Sequence, residues 1–391
     1  MKIKTASLII LIILVSFGIG FFTNQFFTSG NSELISPFVS LQENTSFPLL
    51  TYSIPNLRNR EYFTSKIKLE KLISEEELYS SYVFSYTTLG KKMTGQINIP
   101  DKFTTSPTQK HSAIIMIRGY VPKEIYKTGM GTQSAAGVLA NNGYITIAPD
   151  FFGFGESDPE PTDTWQARFE KPIIIIELLK SLELNGVPTA VVETKEAPTN
   201  LISSNLKIDD LGIWAHSNGG QIALTTLQVL DETIPTTLWA PVTTPFPYSI
   251  LYFSDELEDE GKEQRKWISM FEEKYNVFDF SVTQHLDLLQ GPIQIQHGDA
   301  DDSALIYWSE EFVKKIELEN SRRSEILENY NSVGENASSN ELSQITDSAE
   351  PSTASAIIDL TFYKYENTDH NMVPNWNKVI ARDIQFFNKY L

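Results

Sequence analysis

The sequence contains no cysteine in its 391 residues. That absence excludes disulfide bonds, thiol catalysis, lipid attachment through cysteine and zinc sites built on cysteine. Histidine is scarce as well, with five residues in all, so a histidine that acts as a catalytic base must be one of these five. A glycine-rich phosphate loop of the G-x-x-x-x-G-K type is also missing from the sequence.

Basic residues are outnumbered, with 31 Lys and Arg against 50 Asp and Glu, which gives a net charge of −19. A nucleic-acid partner is therefore not expected, because binding to phosphates requires a basic face. An anionic substrate would need a basic patch at its binding site on this acidic molecule. The hydrophobic content of 41% and the aromatic content of 12% are typical of a globular protein.

The N-terminus opens with two lysines, followed by residues 6–22, which carry no charge. This run is long for the apolar region of a signal peptide and at the short limit for a spanning helix. Because no small-x-small cleavage site follows it, we interpret residues 1–24 as an uncleaved signal anchor. The chain would then be a single-pass protein of the cell membrane with its body outside the cytoplasm. The alternative is secretion after signal cleavage.

Residues 25–60 are interpreted as a tether, and residues 61–391 as one α/β domain. Strands 82–86 and 93–99 flank Leu89-Gly90 and predict a hairpin. Beyond them, apolar strands alternate with helices, which predicts a mostly parallel central sheet with helices on both faces. Residues 245–283 predict a small helical cap, and residues 319–355, low in apolar residues, predict a disordered insertion.

Ser217 lies in the pentapeptide Ala215-His-Ser-Asn-Gly219, a variant of the G-x-S-x-G nucleophile elbow. An apolar strand (211–214) precedes it and a helical pattern (221–230) follows it. A sharp turn from strand to helix exposes the serine hydroxyl and requires small neighbours, because bulky side chains would clash. It also aims the free N–H groups of the helix at any oxyanion formed there.

The order of the polar residues along the chain is informative. Ser217 follows one strand, an acidic loop with Asp299, Asp301 and Asp302 follows a later one, and His370 follows the last. The carboxyl ends of parallel strands are where open α/β sheets place their sites. His370 would take the proton of Ser217, and an aspartate would orient the imidazole. Spacing alone does not choose among the three aspartates.

Several of these segments together resemble the alpha/beta-hydrolase superfamily, and specifically the catalytic domain of prolyl-oligopeptidase-like serine hydrolases. The matching segments are Ile117-Arg-Gly-Tyr, Asp150-Phe-Phe-Gly-Phe-Gly-Glu-Ser, Ala215-His-Ser-Asn-Gly-Gly, His297-Gly-Asp-Ala-Asp-Asp and Asp369-His370. The resemblance implies an alpha/beta-hydrolase fold and a Ser217–Asp301–His370 triad. It selects Asp301 because the family's acid loop has a His-Gly-x-x-Asp pattern.

The oxyanion loop departs from the family, because Arg118 stands where a His or Tyr is usual. We therefore expect the backbone N–H of Asn218, together with that of Tyr120 or Gly119, to hold the oxyanion. Arg118 is interpreted either as a contact for a substrate carboxylate or as an exposed residue at a strand end. His216 and Phe246 are further candidates for the substrate pocket, with packing as the alternative for both.

The resemblance implies a serine peptidase of the prolyl-oligopeptidase type, acting on a peptide or small-molecule substrate without metal or cofactor. The stretch before the core strands is too short for the propeller of prolyl oligopeptidases proper. A carboxylesterase, similar to dienelactone hydrolases, is therefore an alternative, because esters need less help at the oxyanion. A third alternative, from another class, is an inactive binding protein that kept the fold. The acidic run 255–260 is interpreted as a solvated helix face or as a site for a substrate amine.

Overall fold

The computed structural model describes residues 47–101, 111–188, 205–254, 257–336 and 356–391, with side chains omitted for 329–336. The predicted signal anchor (1–24) and most of the predicted tether lie outside these ranges. Within them, no helix is long and apolar enough to cross a membrane.

A nine-stranded mixed sheet forms the centre of the described chain, with the strand order β1-β2-β3-β5-β4-β6-β7-β8-β9. The first three strands are antiparallel, and β3 also pairs antiparallel with β5. From β5 to β9 every pairing is parallel. The strands are β1 (Lys68–Glu75), β2 (Tyr79–Thr88), β3 (Lys91–Pro100), β4 (Ser112–Ile117), β5 (Ile145–Pro149), β6 (Asp210–His216), β7 (Thr236–Trp239), β8 (Ile293–Gly298) and β9 (Leu360–Tyr365).

Helices cover both faces of the sheet, as a strand–helix alternation requires. On one face α2 and α9 pack on the sheet, and on the other face α4, α5 and the first turns of α8 do so. The described helices are α1 (Ile54–Arg58), α2 (Gln133–Asn141), α3 (Thr164–Phe169), α4 (Lys171–Asn185), α5 (Asn218–Leu230), α6 (Tyr248–Leu251), α7 (Lys262–Glu272), α8 (Ile306–Asn336) and α9 (Trp376–Tyr390).

The predicted hairpin is formed by β2 and β3. Leu89 and Gly90 connect the strands, with φ angles of 51° and 72°. Two consecutive residues with positive φ are typical of the type I′ turn, whose twist matches that of the flanking strands. Between β7 and β8, the segment predicted as a cap contains α6, α7 and short 3₁₀ turns, held together by aromatic side chains around Phe271.

Two predicted boundaries are wrong within the described ranges. The tether was expected to extend to residue 60, but a 3₁₀ helix (Pro48–Tyr52) and α1 already pack there, with Leu49, Ile54 and Leu57 buried. The disordered insertion was expected from residue 319, but α8 continues to Asn336. The remainder of that insertion, 337–355, lies outside the described residues.

Arg323 gives the physical reason for the longer α8. Its side chain is 1% exposed, pairs with Glu319 one turn earlier, and donates to the carbonyl oxygens of Leu286, Asp287 and Leu289. A composition low in apolar residues does not reveal a helix that is anchored by one buried guanidinium.

Candidate active site

Ser217 lies in the turn where β6 ends and α5 begins. Its backbone has φ 57° and ψ −125°, a region that residues other than glycine seldom occupy. The turn is fixed from both sides, because the Ser217 N–H donates to the carbonyl of Trp239 (2.9 Å) and the Ser217 carbonyl accepts from the N–H of Val242 (3.0 Å). The surrounding structure therefore holds the serine in a strained conformation.

The small residues of the elbow are required by close backbone contacts. A Cβ atom on Gly219 would lie 2.3 Å from the carbonyl oxygen of Ile117, and one on Gly220 would lie 2.5 Å from the Cβ of Pro241. Neither distance is compatible with a side chain. The crowding that the sequence predicted around Ser217 is thus present on the helix side of the turn.

Gly119 brings the loop after β4 against the nucleophile. A Cβ on Gly119 would lie 2.7 Å from the Ser217 Cβ and 3.3 Å from its Oγ. Asn218 is the first residue of α5, so its N–H has no acceptor within the helix. In the described part of the chain, the N–H groups of Tyr120 and Asn218 donate to no protein acceptor. Both are thus available to a ligand beside Ser217.

His370 and Asp301 form a hydrogen-bonded pair, with 2.8 Å between His370 Nδ1 and Asp301 Oδ2. The Asp301 Oδ1 accepts from the N–H groups of Ser303 (2.9 Å) and Ala304 (2.8 Å). Asp301 is 6% exposed, whereas Asp299 and Asp302 lie at the surface. Of the three aspartates in this loop, Asp301 is the one that contacts His370.

The pKa of the Asp301 carboxyl lies well below its usual range. Burial alone would raise this pKa, but hydrogen bonds with His297 and His370 and the backbone N–H of Ala304 outweigh it. The carboxylate is therefore ionised at neutral pH, which is the state that orients a histidine and stabilises its cation.

His370 lies beside the nucleophile segment through its contacts with His216. The His216 Nε2 lies 2.9 Å from the His370 carbonyl oxygen, and the two rings are 4.7 Å apart. No hydrogen bond joins Ser217 Oγ to His370, both of which are described residues. Nucleophile–base contacts are often long in unliganded sites and shorten when substrate binds.

His216 itself packs at the site as a neutral side chain. Burial, together with the neighbouring His370, lowers its pKa to about 4. Because the pKa is far below neutrality, His216 neither stores nor delivers a proton at pH 7. Its Nε2 then donates to the His370 carbonyl, which helps to fix the loop that carries the base.

His297 is a site residue whose role the sequence did not reveal. It is fully buried, with its Nε2 3.1 Å from Asp301 Oδ2 and 2.8 Å from the Ala304 carbonyl. Its Nδ1 lies 2.8 Å from Ser309 Oγ. His297 thus contacts both a carbonyl of the following loop and the acid. The sequence feature that could have indicated this contact is the position of His297, four residues before Asp301 in the His-Gly-x-x-Asp pattern.

Arg118 is not an exposed strand-end residue, as one alternative proposed, because it is only 7% exposed. Its guanidinium donates to the carbonyls of Gly119 (3.0 Å) and Asp150 (2.9 Å). It also lies over the rings of Phe154 (4.2 Å) and Tyr126 (4.7 Å). Arg118 therefore holds the loop that carries Gly119 and is engaged inside the protein.

Phe246 is used mainly for packing, the alternative considered for it, although it also lines a cavity of about 590 Å³ in the cap. It is 2% exposed and packs edge-on against Phe169 and Phe271 inside the cap. The aromatic residues of this segment form the interior of the cap, because a short helical cap has few other apolar side chains to bury.

A cavity of about 670 Å³ lies between the cap and the start of α8. Its lining includes Thr243, which follows Val242 in the chain. The N–H of Val242 donates a hydrogen bond to the Ser217 carbonyl. The lining side chains are mostly aromatic and aliphatic, as is usual for pockets that bind small molecules. They include Thr244, Pro245, Tyr248, Leu251, Tyr252, Leu305, Tyr307, Trp308 and Phe312. In the described residues, no cluster of three potential metal ligands occurs.

Comparison with known proteins gives a likeness in structure but not in sequence. No protein-family model matches the chain, and no curated protein matches its sequence significantly. Among solved structures, a putative dipeptidyl aminopeptidase IV from Bacteroides ovatus matches with a TM-score of 0.50 and 15% identity. The match covers 81% of this chain and 37% of that one. The chain thus spans little more than a third of that protein's length.

Two esterases show similar values. Est1E from Butyrivibrio proteoclasticus, solved with bound ferulic acid, matches with a TM-score of 0.46 and 14% identity over 78% of this chain and 98% of that one. Acetyl xylan esterase 1 from a Thermoanaerobacterium species has a TM-score of 0.49 and 11% identity over 85% and 93% of the two chains. The match to the Bacteroides ovatus protein, at a TM-score of 0.50, concerns the fold alone: together with the strand order, it shows that the chain has an alpha/beta-hydrolase fold.

Proposed function

We propose that this protein is a serine hydrolase that transfers an acyl group to water through Ser217. One observation carries the proposal: a hydrogen-bonded Asp301–His370 pair lies beside a serine that is held in a strained elbow. Strain of this kind persists where the structure enforces it and is concentrated at functional sites. The free N–H groups of Tyr120 and Asn218 supply the complementary binding site for a developing negative charge.

The proposed reaction has two steps. In the first, Ser217 Oγ forms a bond to the carbonyl carbon while its proton moves to His370 Nε2, and the oxyanion lies between the N–H groups of Tyr120 and Asn218. The proton then passes from His370 to the leaving alcohol or amine as its bond to the carbonyl carbon breaks. In the second step, water repeats the sequence on the acyl-Ser217 ester and releases the acid.

Asp301 stabilises the cation that forms on His370 during both steps. Its low pKa keeps it charged, and its Oδ1 is held by two backbone N–H groups, so it cannot rotate away from the imidazole. In this proposal Asp301 holds the tautomer with the proton on His370 Nδ1, which leaves Nε2 free to accept the proton of Ser217.

We favour an ester with a short acyl group as the substrate, with a peptide as the second candidate. The cavity beside Thr243 offers apolar walls of moderate volume. In the acidic run considered for amine recognition, Asp259 caps the start of α7 by accepting from the N–H groups of Gly261 (2.9 Å) and Glu263 (2.7 Å). A carboxylate occupied in this way does not favour an aminopeptidase.

Ester hydrolysis by the full chain tests the proposal. Ser217→Ala should lower kcat for p-nitrophenyl butyrate by about 10⁴-fold or more while the protein stays folded. A fluorophosphonate probe should label the parent protein and not this variant. Ser80→Ala, which removes a hydroxyl on β2, serves as the matched control and should change neither readout.

Two results would contradict the proposal. Probe labelling that persists in Ser217→Ala would assign the nucleophile elsewhere. Absence of turnover above that of Ser217→Ala, for both esters and aminoacyl-p-nitroanilides, would favour the inactive binding protein. Cleavage of anilides as efficient as that of esters would instead favour the peptidase.

We further propose that the hydrolase acts outside the cytoplasm, anchored by residues 1–24. The support is the run of 17 uncharged residues (6–22) after two lysines. A fusion of residues 1–60 to alkaline phosphatase, which is active only after export, should give phosphatase activity in the membrane fraction. Activity in the medium alone would favour a cleaved signal, and absence of activity would contradict export.

A further inference from the structure

A second, smaller cavity lies beside the first turn of α5, and its lining includes Asn218, the residue that follows Ser217 in the chain. It has a volume of about 30 Å³, close to that of one small polar group, and its wall includes Asn218 and Gln221 from the first turn of α5. Arg168 and Lys171 line the same cavity. These two cations also line an adjoining open cleft of about 510 Å³. The two basic side chains are thus shared by the small cavity and the cleft that opens from it.

Neither cation is neutralised by a close carboxylate. Arg168 Nη2 donates to the neutral Gln221 side chain (2.7 Å), and Lys171 Nζ lies over the ring of Phe151, 5.8 Å from its centre. None of the ion pairs formed in the described part of the chain includes Arg168 or Lys171. The molecule has a net charge of −19, so two half-buried cations without a carboxylate in an ion pair form a locally basic site on an acidic protein.

The nearby acidic groups have other hydrogen-bond or ion-pair partners. Glu160, which also lines the open cleft, pairs with Lys123 (3.3 Å), and Glu170, which is 3% exposed, accepts from Gln166 (3.4 Å). Lys171 is also the first residue of α4, where the helix dipole adds positive potential. Because like charges and a helix N-terminus repel one another, this arrangement is more favourable with an anion bound than without one.

We propose that Arg168 and Lys171 bind a carboxylate of the substrate, so that the preferred substrates are acidic esters or peptides with a carboxylate near the scissile carbonyl. This inference rests on the proposed function, because the cavity shares Asn218 with the proposed oxyanion site. It also specifies the substrate class: charge on the acyl or leaving part, rather than chain length, distinguishes good substrates from poor ones. A guanidinium and an ammonium together offer several donors to one carboxylate.

Matched esters test the proposal with the unmodified full chain. On the acyl side, mono-p-nitrophenyl adipate is compared with p-nitrophenyl hexanoate, and with the ester of 6-aminohexanoic acid. On the leaving side, 4-carboxyphenyl butyrate is compared with phenyl butyrate. In at least one of the two comparisons, kcat/KM should be about tenfold or more higher for the acidic ester, after correction for leaving-group reactivity. The 6-aminohexanoate ester should be the poorest substrate of the acyl series.

Variants then assign the preference to the two cations. Arg168→Gln and Lys171→Gln should each lower the ratio of kcat/KM for the acidic ester to that for its neutral partner, by about tenfold. The change should appear mainly in KM. Lys180→Gln removes the same charge from the same helix, α4, and should leave the ratio unchanged. Thermal unfolding of each variant shows whether it is folded.

The outcomes separate this proposal from the previous one. Turnover of neutral esters that depends on Ser217, without preference for acidic ones, overturns the carboxylate site and leaves the hydrolase intact. A preference that persists in both variants assigns it to other residues and also overturns the inference. If neither esters nor aminoacyl-p-nitroanilides are turned over, the proposed hydrolase function itself fails.

Discussion

Asp301 accepts hydrogen bonds on both oxygens and from four partners. Two backbone N–H groups bind Oδ1, and the imidazoles of His297 and His370 bind Oδ2. The His297 Nε2 faces two acceptors, the carboxylate and a carbonyl, so its hydrogen-bond network assigns the proton to Nε2. His297 then donates through Nε2, and this hydrogen bond stabilises the charged form of a buried acid.

His297→Ala should therefore reduce catalysis without affecting substrate binding. We expect kcat for ester hydrolysis to fall by about tenfold, the effect of losing one hydrogen bond to a charged group, with KM unchanged. The unfolding free energy should also fall, by about 2–4 kcal/mol, because a buried side chain is lost. Steady-state kinetics and urea unfolding measure the two effects.

His285→Ala provides the comparison, because the partly exposed His285 bonds the carbonyl of Phe278 in the cap and does not contact the acid. It should leave kcat within about twofold of the parent. A rise in KM for His297→Ala, with kcat unchanged, would contradict a positioning role.

Among individual residues, the sequence predicted the pairing of Asp301 with His370 but did not predict the surroundings of the site residues. Asp301 could be chosen over Asp299 because a motif fixes its spacing, and only Asp301 of the two contacts His370. The burial of Arg118 could not be anticipated. The rings that enclose it, Tyr126 and Phe154, come from separate loops, and no local pattern records that they converge.

The elbow between β6 and α5 is the element on which the site depends. Gly219 places the first turn of α5 against the end of β4, where an added Cβ would meet the backbone carbonyl of Ile117 at 2.3 Å. Backbone cannot give way as a flexible side chain can. Gly219→Ala should therefore lower the unfolding free energy by about 1–3 kcal/mol and displace Asn218, whose N–H is needed beside Ser217. Activity and thermal unfolding measure these effects.

Gly137→Ala is the matched substitution in α2. Its Cβ would approach the hydroxyl of Tyr79 at 2.8 Å, the far end of a flexible side chain. Because alanine favours a helix interior by about 1 kcal/mol, this variant should be near the parent in stability and retain activity. Equal losses in both variants would show that steric contact at the elbow is not decisive.

Elements with clear periodicity were predicted from the sequence, whereas elements held by single long-range contacts were not. The hairpin at Leu89 and the helix α5 follow directly from alternation and from apolar spacing. The long α8 depends on Arg323 reaching carbonyl groups in the segment before β8, and α1 depends on burial of Leu57. Neither contact can be predicted from the residue composition of the helix itself.

For the whole molecule, Asp383 joins the C-terminal helix to the centre of the sheet. Its carboxyl accepts from Thr237 (2.6 Å), Trp239 (2.7 Å), Gln294 (3.0 Å) and Gln296 (2.6 Å). Burial raises the pKa of Asp383 to about 7, although these donors act in the opposite direction. The carboxyl is fully enclosed, so its protonation is coupled to the stability of the entire fold.

The sign of this coupling predicts how stability depends on pH. A folded-state pKa near 7, raised above the ordinary value of about 3.9, means that ionisation favours the unfolded chain. The contribution of Asp383 is fully present below about pH 4 and is lost as the pH rises towards 7. Between pH 5 and pH 8 the parent should lose more unfolding free energy than Asp383→Asn does, by about 1–3 kcal/mol.

Urea unfolding at the two pH values measures this difference. Asp359→Asn, at an exposed position, should keep the pH dependence of the parent. An Asp383→Asn protein with the same pH dependence as the parent would show that Asp383 is ionised throughout this range.

For the proposed hydrolase, the position of β9 has a consequence for when activity arises during synthesis. Among the described strands, β9 is at the edge of the sheet, pairs with β8 alone, and is followed by the loop that carries His370. The elbow with Ser217 therefore leaves the ribosome well before its base does. The nascent chain holds an unactivated hydroxyl until the last strand docks. Hydrolytic activity then requires that β9 has paired with β8. Loss of this pairing would abolish activity while the rest of the sheet stays paired.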